Sequence, residues 1–303
     1  MQHETIQFLK CSAAGQNYCL NHTHVLALER AARLTPNPAG HGPSGWIARW
    51  GRKIPVYPLA ERLGTGPRTS TVGAILLLDR NKPWGLSVER VSRYDLPAQP
   101  VPVPATIDDR AAAWFRAVVV DDGKPVFELA PERLRPDAPP LSVAPLEPAN
   151  LLRRADKSPG RLLVFTPPNP AASETRLLFG LSYTQVIEIV SSLEPVPVPA
   201  SPAHVLGLIA WRGQPVPVID VGLLLGLEPI ATHKGRLLIA RSALWRTVAA
   251  IPIGAEMQTR GLPLPHRPCP QERNYARGCF ELSRSEVLVI PDLDAIARPR
   301  SAA

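Results

Sequence analysis

The stretch GLIAWRGQPVPVID, residues 207–220, decides how the rest of the chain is read. Leu208, Ile209, Ala210 and Trp211 make a short apolar run that suits a buried strand. Arg212-Gly213-Gln214 is turn material, because Gly213 takes positive φ without steric cost. Val216, Val218 and Ile219 are β-branched and favour a returning strand, so the stretch predicts a β-hairpin. Pro215 and Pro217 stand two apart and remove N–H donors from the same side of that strand. The pattern predicts an edge strand or a barrel rim. Two uses are open for the tip at this level: an ordinary hairpin with a solvated arginine, or a charged rim that docks a partner.

The same stretch has a counterpart earlier in the chain. GWIARWGRKIPVYPLAERLG (45–64) aligns without gaps against GLIAWRGQPVPVIDVGLLLG (207–226) at an offset of 162, with eight of twenty positions identical. Upstream, LNHTHVLAL matches LSYTQVIEI at an offset of 161; downstream, VGAILLLD corresponds to GRLLIARS and WFRAVVVDDGKPVFEL to YARGCFELSRSEVLVI. A sustained offset over most of each half means two versions of one domain, each large enough for its own core. The expected organisation is a first domain over 1–136, a Pro-rich linker over 137–160 and a second domain over 161–303. Proline should make that linker semi-rigid, and its LLRRA piece suits a short helix. Inside each domain, short apolar runs bounded by Gly, Pro, Asn or Asp recur, at Thr5–Leu9, Tyr18–Leu20, Ala74–Leu78, Trp84–Val88, Ala117–Val120, Leu162–Phe165 and Val287–Ile290. Helical stretches are short, near Val56–Leu63 and VGLLLGL. The fold class expected is mainly β, as small barrels in two tandem domains.

Bulk composition narrows the function. The 303 residues are 45% hydrophobic and only 6% aromatic, so the cores should be aliphatic, and 36 prolines imply many turns and strand ends. The net charge of +8 would suit an anionic partner, yet the basic residues are dispersed. The densest groups, Arg49-Arg52-Lys53 and Arg153-Arg154-Lys157-Arg161, are not interleaved with stacking aromatics, so no nucleic-acid partner is expected. A basic small-barrel nucleic-acid binder using Arg49, Arg52 and Lys53 is the alternative class. Cys11, Cys19, Cys269 and Cys279 form no zinc pattern, and His22 and His24 near Cys19 suit a polar loop better than a metal site. No metal or cofactor is expected. Without a signal-like start or an 18-residue apolar run, the expectation is a cytoplasmic protein with reduced thiols and no membrane insertion. There is no nucleophile elbow, phosphate loop, zincin or kinase signature, and Asp121-Asp122 reads as a hairpin turn. Trp46, Trp50 and Trp84 suit core or interface packing.

PVPVPASPAHVLGLIAWRGQPVPVIDVGLLLGL resembles the central signature of CheW-like domains: a proline-rich lead-in, an apolar strand, Arg-Gly, a Pro-Val-Ile-Asp strand and a Leu-rich helix ending in Gly. The flanks RLLVFTPP, TRLLFGLSYTQVIEIV, GAILLLDRNKPWGLSVERV, GKPVFELAPERL and EVLVIPDLDAI are similar to the family's other strands and its closing helix. The resemblance implies two five-stranded barrels per domain joined by an apolar interface. It implies no enzymatic activity, and as partners chemoreceptor cytoplasmic tips, a CheA-type histidine kinase and other CheW-like domains. It makes Trp211, Arg212, Gly213, Val216, Val218 and Asp220 the candidate partner-binding residues of the second domain, the valines on condition that they are exposed. In the first domain the candidates are Arg49, Trp50, Gly51 and Glu89. The two domains depart from the pattern differently. The first has Trp50 at the arginine position, Arg49 one place early and Pro58 for the motif aspartate, while the second has Ile251 where the first keeps Glu89. These substitutions motivate a division of roles between the domains.

Overall fold

The computed structural model describes residues 7–39, 42–66, 71–95, 99–104, 106–107, 109–138, 160–168, 175–191, 193–229, 235–244, 246–261, 267–268 and 275–296. The first domain runs β1 (Gln7–Ala13), β2 (Gln16–Asn21), β3 (Val25–Arg30), β4 (Thr35–Pro36), β5 (Gly45–Arg49), β6 (Arg52–Pro58), α1 (Leu59–Arg62), β7 (Ala74–Leu78), β8 (Trp84–Val88), β9 (Arg90–Asp95), α2 (Asp109–Ala112), β10 (Phe115–Asp121), β11 (Lys124–Leu129) and α3 (Pro131–Leu134). The second runs β12 (Arg161–Phe165), β13 (Arg176–Ser182), β14 (Val186–Val190), β15 (Val205–Trp211), β16 (Gln214–Ile219), α4 (Val221–Leu224), β17 (Arg236–Arg241), β18 (Val248–Ile253), β19 (Met257–Gly261), β20 (Arg267–Pro268), β21 (Ala276–Ser283), β22 (Glu286–Pro291) and α5 (Leu293–Ile296). The protein is mainly β, as the apolar runs predict. Most of the expected linker, including LLRRA, lies outside the described residues, as does Cys269.

Each domain holds two sheets in matching order. The first domain has β10-β11-β2-β1-β9 and β3-β7-β8-β6-β5-β4; the second has β19-β12-β13-β22-β21-β20 and β14-β17-β18-β16-β15. Two-residue turns close four of the hairpins, at Ala14-Gly15, Trp50-Gly51, Asp122-Gly123 and Arg212-Gly213, with positive φ at both residues of each. That is the backbone twist a tight hairpin needs. Asp121-Asp122 therefore sits at a turn, with Asp121 paired to Lys10 at 2.8 Å.

The edge-strand expectation for β16 is corrected: β16 lies between β15 and β18. The prolines act as the donor argument requires, but less completely. Alternation from the Trp211↔Gln214 closing pair turns the nitrogens of Pro215 and Pro217 away from β15, towards β18. The ladder to β18 shrinks to Val218↔Ala250, beyond the prolines, and is not abolished.

The apolar residues sort into layers. Ile47, Ile54, Val56, Ile75 and Leu77 fill the inside of one sheet of the first domain, and Ile209, Val216, Val218, Leu237, Ile239 and Ala250 fill its counterpart in the second. Larger clusters join the two sheets of each domain. Independent cores were expected, but the first domain's joining cluster takes in Val198 and Leu208 of the second. There β15 lies against β11 and β16 against β10, and Gln16 Nε2 donates to the Pro197 carbonyl at 2.9 Å.

The thiols also divide. Cys11 and Cys19 are free and buried, and burial pushes the Cys11 thiol up to about 12, so it stays protonated and inert at neutral pH. Cys279 is disulfide-bonded, which corrects the expectation of reduced thiols at that position.

Candidate functional site: two hairpin tips

The β5–β6 and β15–β16 hairpins present the same turn with different chemistry. Trp50 and Arg212 both have φ near 50°, and Gly51 and Gly213 follow with φ of 68° and 74°. The one-place shift of arginine between the domains is thus a real change of position. Arg212 occupies the tip itself, whereas Arg49 is the last residue of β5.

In the second domain Arg212 is exposed (66% of the side chain) and pairs with Glu188, which is on β14. Trp211 Nε1 donates to Glu188 Oε1 at 2.8 Å, and the guanidinium lies 4.6 Å from the Trp211 ring centre. The indole N–H bond first, and Arg212 second, hold the Glu188 carboxyl below its ordinary range, so the pair stays charged at neutral pH. In the first domain Arg49 turns inward to the buried Glu29 of β3, which Arg33 also reaches at 3.1 Å. Trp50 is left 52% exposed, with the Arg49 guanidinium 5.0 Å from its ring centre. Lys53 Nζ sits 4.1 Å over the Trp46 ring, so two of the three basic residues of this rim are already engaged.

β3 and β5, like β14 and β15, are far apart in sheet order, yet they meet through these side chains. Each sheet therefore curls enough for strands distant in its order to meet near the tip; in the first domain β4 lies beyond β5. Neither glutamate is suggested by the sequence, because the contact is made across the curled sheet. The two are also not equivalent in the repeat, since Glu188 aligns with Ala27 and Glu29 with Val190.

The remaining candidates have other tasks. Val216 (3% exposed) and Val218 (0%) are core residues, so the condition of exposure placed on them is not met and a docking role is withdrawn. Asp220 is also buried, and its Oδ1 accepts the Leu223 N–H at 3.0 Å as the N-cap of α4. At the matching place in the first domain, Pro58 precedes α1 without a side-chain cap. Asp220→Ala is expected to cost about 1–2 kcal/mol, read as a lowered denaturant midpoint with the tip contacts intact. Glu89 accepts the Ala14 N–H at 2.9 Å and fastens the β1–β2 turn.

The sequence profile of the CheW-like domain matches residues 7–138 and 171–300, and the chain belongs to this family as two tandem CheW-like domains. A probable chemotaxis protein CheW from Rhizobium etli is 28% identical over 124 residues, 39% of this chain and 79% of that protein. Among solved structures, the scaffolding protein TtCheW from Thermoanaerobacter tengcongensis is similar at 21% identity and a TM-score of 0.36, over 47% of this chain and 90% of that one. No helix among the described residues is long and apolar enough to cross a membrane.

Proposed function

We propose that the chain is a cytoplasmic, non-enzymatic chemotaxis adaptor whose two domains, 1–136 and 161–303 joined by 137–160, couple chemoreceptor tips to a CheA-type histidine kinase. The observation that carries this reading is the pair of exposed tips at equivalent turn positions, one offering a cation braced by Glu188 and Trp211, the other an apolar ring. Tip Trp and Arg residues are the side chains most often found at the energetic centre of an interface. The arginine tip serves the receptor, and the tryptophan tip serves the kinase or a neighbouring CheW-like domain. Once one domain docks, the second binds at high effective concentration. Signalling then requires that the adaptor hold the two receptor states unequally.

The test captures receptor-tip fragments and the organism's CheA-type kinase on the full-length chain, beside Arg212→Glu and Trp50→Glu. Loss of a central contact of about 2 kcal/mol weakens binding roughly thirtyfold. Arg212→Glu should lose receptor and keep kinase, and Trp50→Glu should do the reverse. Two variants that both capture both partners like the parent would end the reading.

A further inference from the structure

We propose that the disulfide at Cys279 is a reversible redox link, opened and closed by small-molecule thiols, that sets how firmly the edge strand β20 is held to the second domain. Its use as a sensor rests on the cytoplasmic placement proposed above; its chemistry does not.

β20 is two residues long and stands at the edge of its sheet, paired with β21 through Arg267↔Glu281 and Pro268↔Phe280. The next place in that register on β21 is Cys279, which is disulfide-bonded. The sequence holds four cysteines, and Cys11 and Cys19 are free, so Cys279 is bonded to Cys269, the residue after Pro268. The bond adds one covalent rung to a ladder of two.

The repeat shows what that rung replaces. At the offset of 161, Cys279 aligns with Val118 of β10. There Val101 bridges Val118 through two backbone hydrogen bonds, of 2.8 and 2.7 Å, and Val103 packs on the first domain's core. The first domain fastens this edge with hydrogen bonds and apolar packing, which no solute reverses. The second uses sulfur at the same place. Cys11 and Cys19 are shut in the core at 1% and 0% exposure, whereas Cys279 is half-buried at the margin of the second domain's core, within reach of a thiol in solution. Cytosolic disulfides are usually transient and redox-sensing. Reduction leaves β21 itself anchored, because it keeps its ladder to β22 and Arg277 keeps its pairs with Asp292 and Asp294.

The step is thiol–disulfide exchange. A thiolate of the reductant attacks one sulfur of the link and forms a mixed disulfide, and a second reductant thiol resolves it. One protein S–S bond is broken and one reductant S–S bond is formed. Two electrons and two protons pass to the protein, which gains two thiols.

The experiment equilibrates the native full-length chain in buffers that run from oxidised to reduced glutathione, then counts thiols after acid quenching and unfolding. Two thiols are expected at the oxidised end, those of Cys11 and Cys19, and four at the reduced end, with the same curve in both directions. The bond closes a short loop, so reduction should lower the melting temperature by roughly 5–10 °C. Hydrogen exchange should quicken along β21 at its β20 side and stay unchanged along β10, where Val101 supplies the bridge. Cys279→Ser should melt like the reduced parent in every buffer. Four thiols even at the oxidised end overturn the proposal, as do two even at the reduced end, which would make the link a permanent staple. An unchanged melting temperature and unchanged exchange on reduction overturn it too. None of these readouts involves receptor or kinase, so failure of the coupling reading would leave them as they are.

Discussion

Leu208→Asp is expected to split thermal unfolding of the chain into two separate transitions. Leu208 is fully buried, and it belongs to the cluster built by the first domain's Phe127, Tyr18 and Val118. Truncating a buried leucine costs about 2–5 kcal/mol, and an aspartate adds the cost of a carboxylate without a partner. That cost falls on the contact between domains, because the second domain's own inner layer, Ile209, Val216 and Val218, faces the other way. Differential scanning calorimetry should show one transition for the parent and two for the variant, the first at lower temperature. Leu208→Met conserves volume and should lose less than about 1.5 kcal/mol and keep a single transition. A single transition near the parental temperature in the aspartate variant would mean that the domains do not stabilise each other.

The shared core also shows what the sequence discloses and what it withholds. Runs such as AILLL and WGLSV mark β7 and β8 directly, since a short aliphatic run between turn residues has few other uses. The Arg-Gly turn is just as legible, and Trp50-Gly51 follows through the repeat. The tasks of Val216, Val218 and Asp220 were not legible. Alternation says that a strand has two faces but not which one meets water, and an aspartate before VGLLLGL suits a helix cap as well as a docking charge. One further signal lies in the two faces of the strands. VLGLIAW and QPVPVI are apolar on both faces, whereas in RKIPVY the face bearing Pro55 carries Lys53 where QPVPVI has Pro215. Strands that read as continuous apolar runs are covered on both sides. The contrast between the repeats already pointed to a second layer over β15–β16. The Glu188–Trp211 and Glu29–Arg49 contacts had no such signal, because they depend on the sheet curling until strands distant in order meet.

Gly207→Ala should be among the most damaging single substitutions in the chain, although it adds one methyl group. Gly207 has φ of +146°, and a Cβ built on it falls 2.4 Å from the Val196 carbonyl oxygen and 2.7 Å from its carbon. Those atoms are backbone and cannot step aside, because Val196 and Leu208 are doubly bonded: Val196 N–H donates to the Leu208 carbonyl at 2.7 Å, and Leu208 N–H to the Val196 carbonyl at 2.8 Å. The added methyl must open that bridge or distort β15 at its register shift between Val205 and Gly207. Opening it withdraws Val196 and Val198 from the first domain's core, so local strain becomes a loss of contact between domains. Backbone strain of about 1–3 kcal/mol, added to the lost packing, predicts a loss of about 3 kcal/mol or more. For a chain of this size that lowers the melting temperature by roughly 6–12 °C. Gly213 supplies the control. Its φ is +74° and nothing lies within 4 Å of a built Cβ, so Gly213→Asn, a residue that tolerates this conformation, should cost far less. The first domain repeats the device at Gly45, whose Cβ would lie 2.4 Å from the Thr35 carbonyl oxygen where β4 pairs with β5. Gly45→Ala should therefore disturb the lead-in to β5 in the same way. Parental stability in both alanine variants would show that neither lead-in needs this close approach of backbone to backbone.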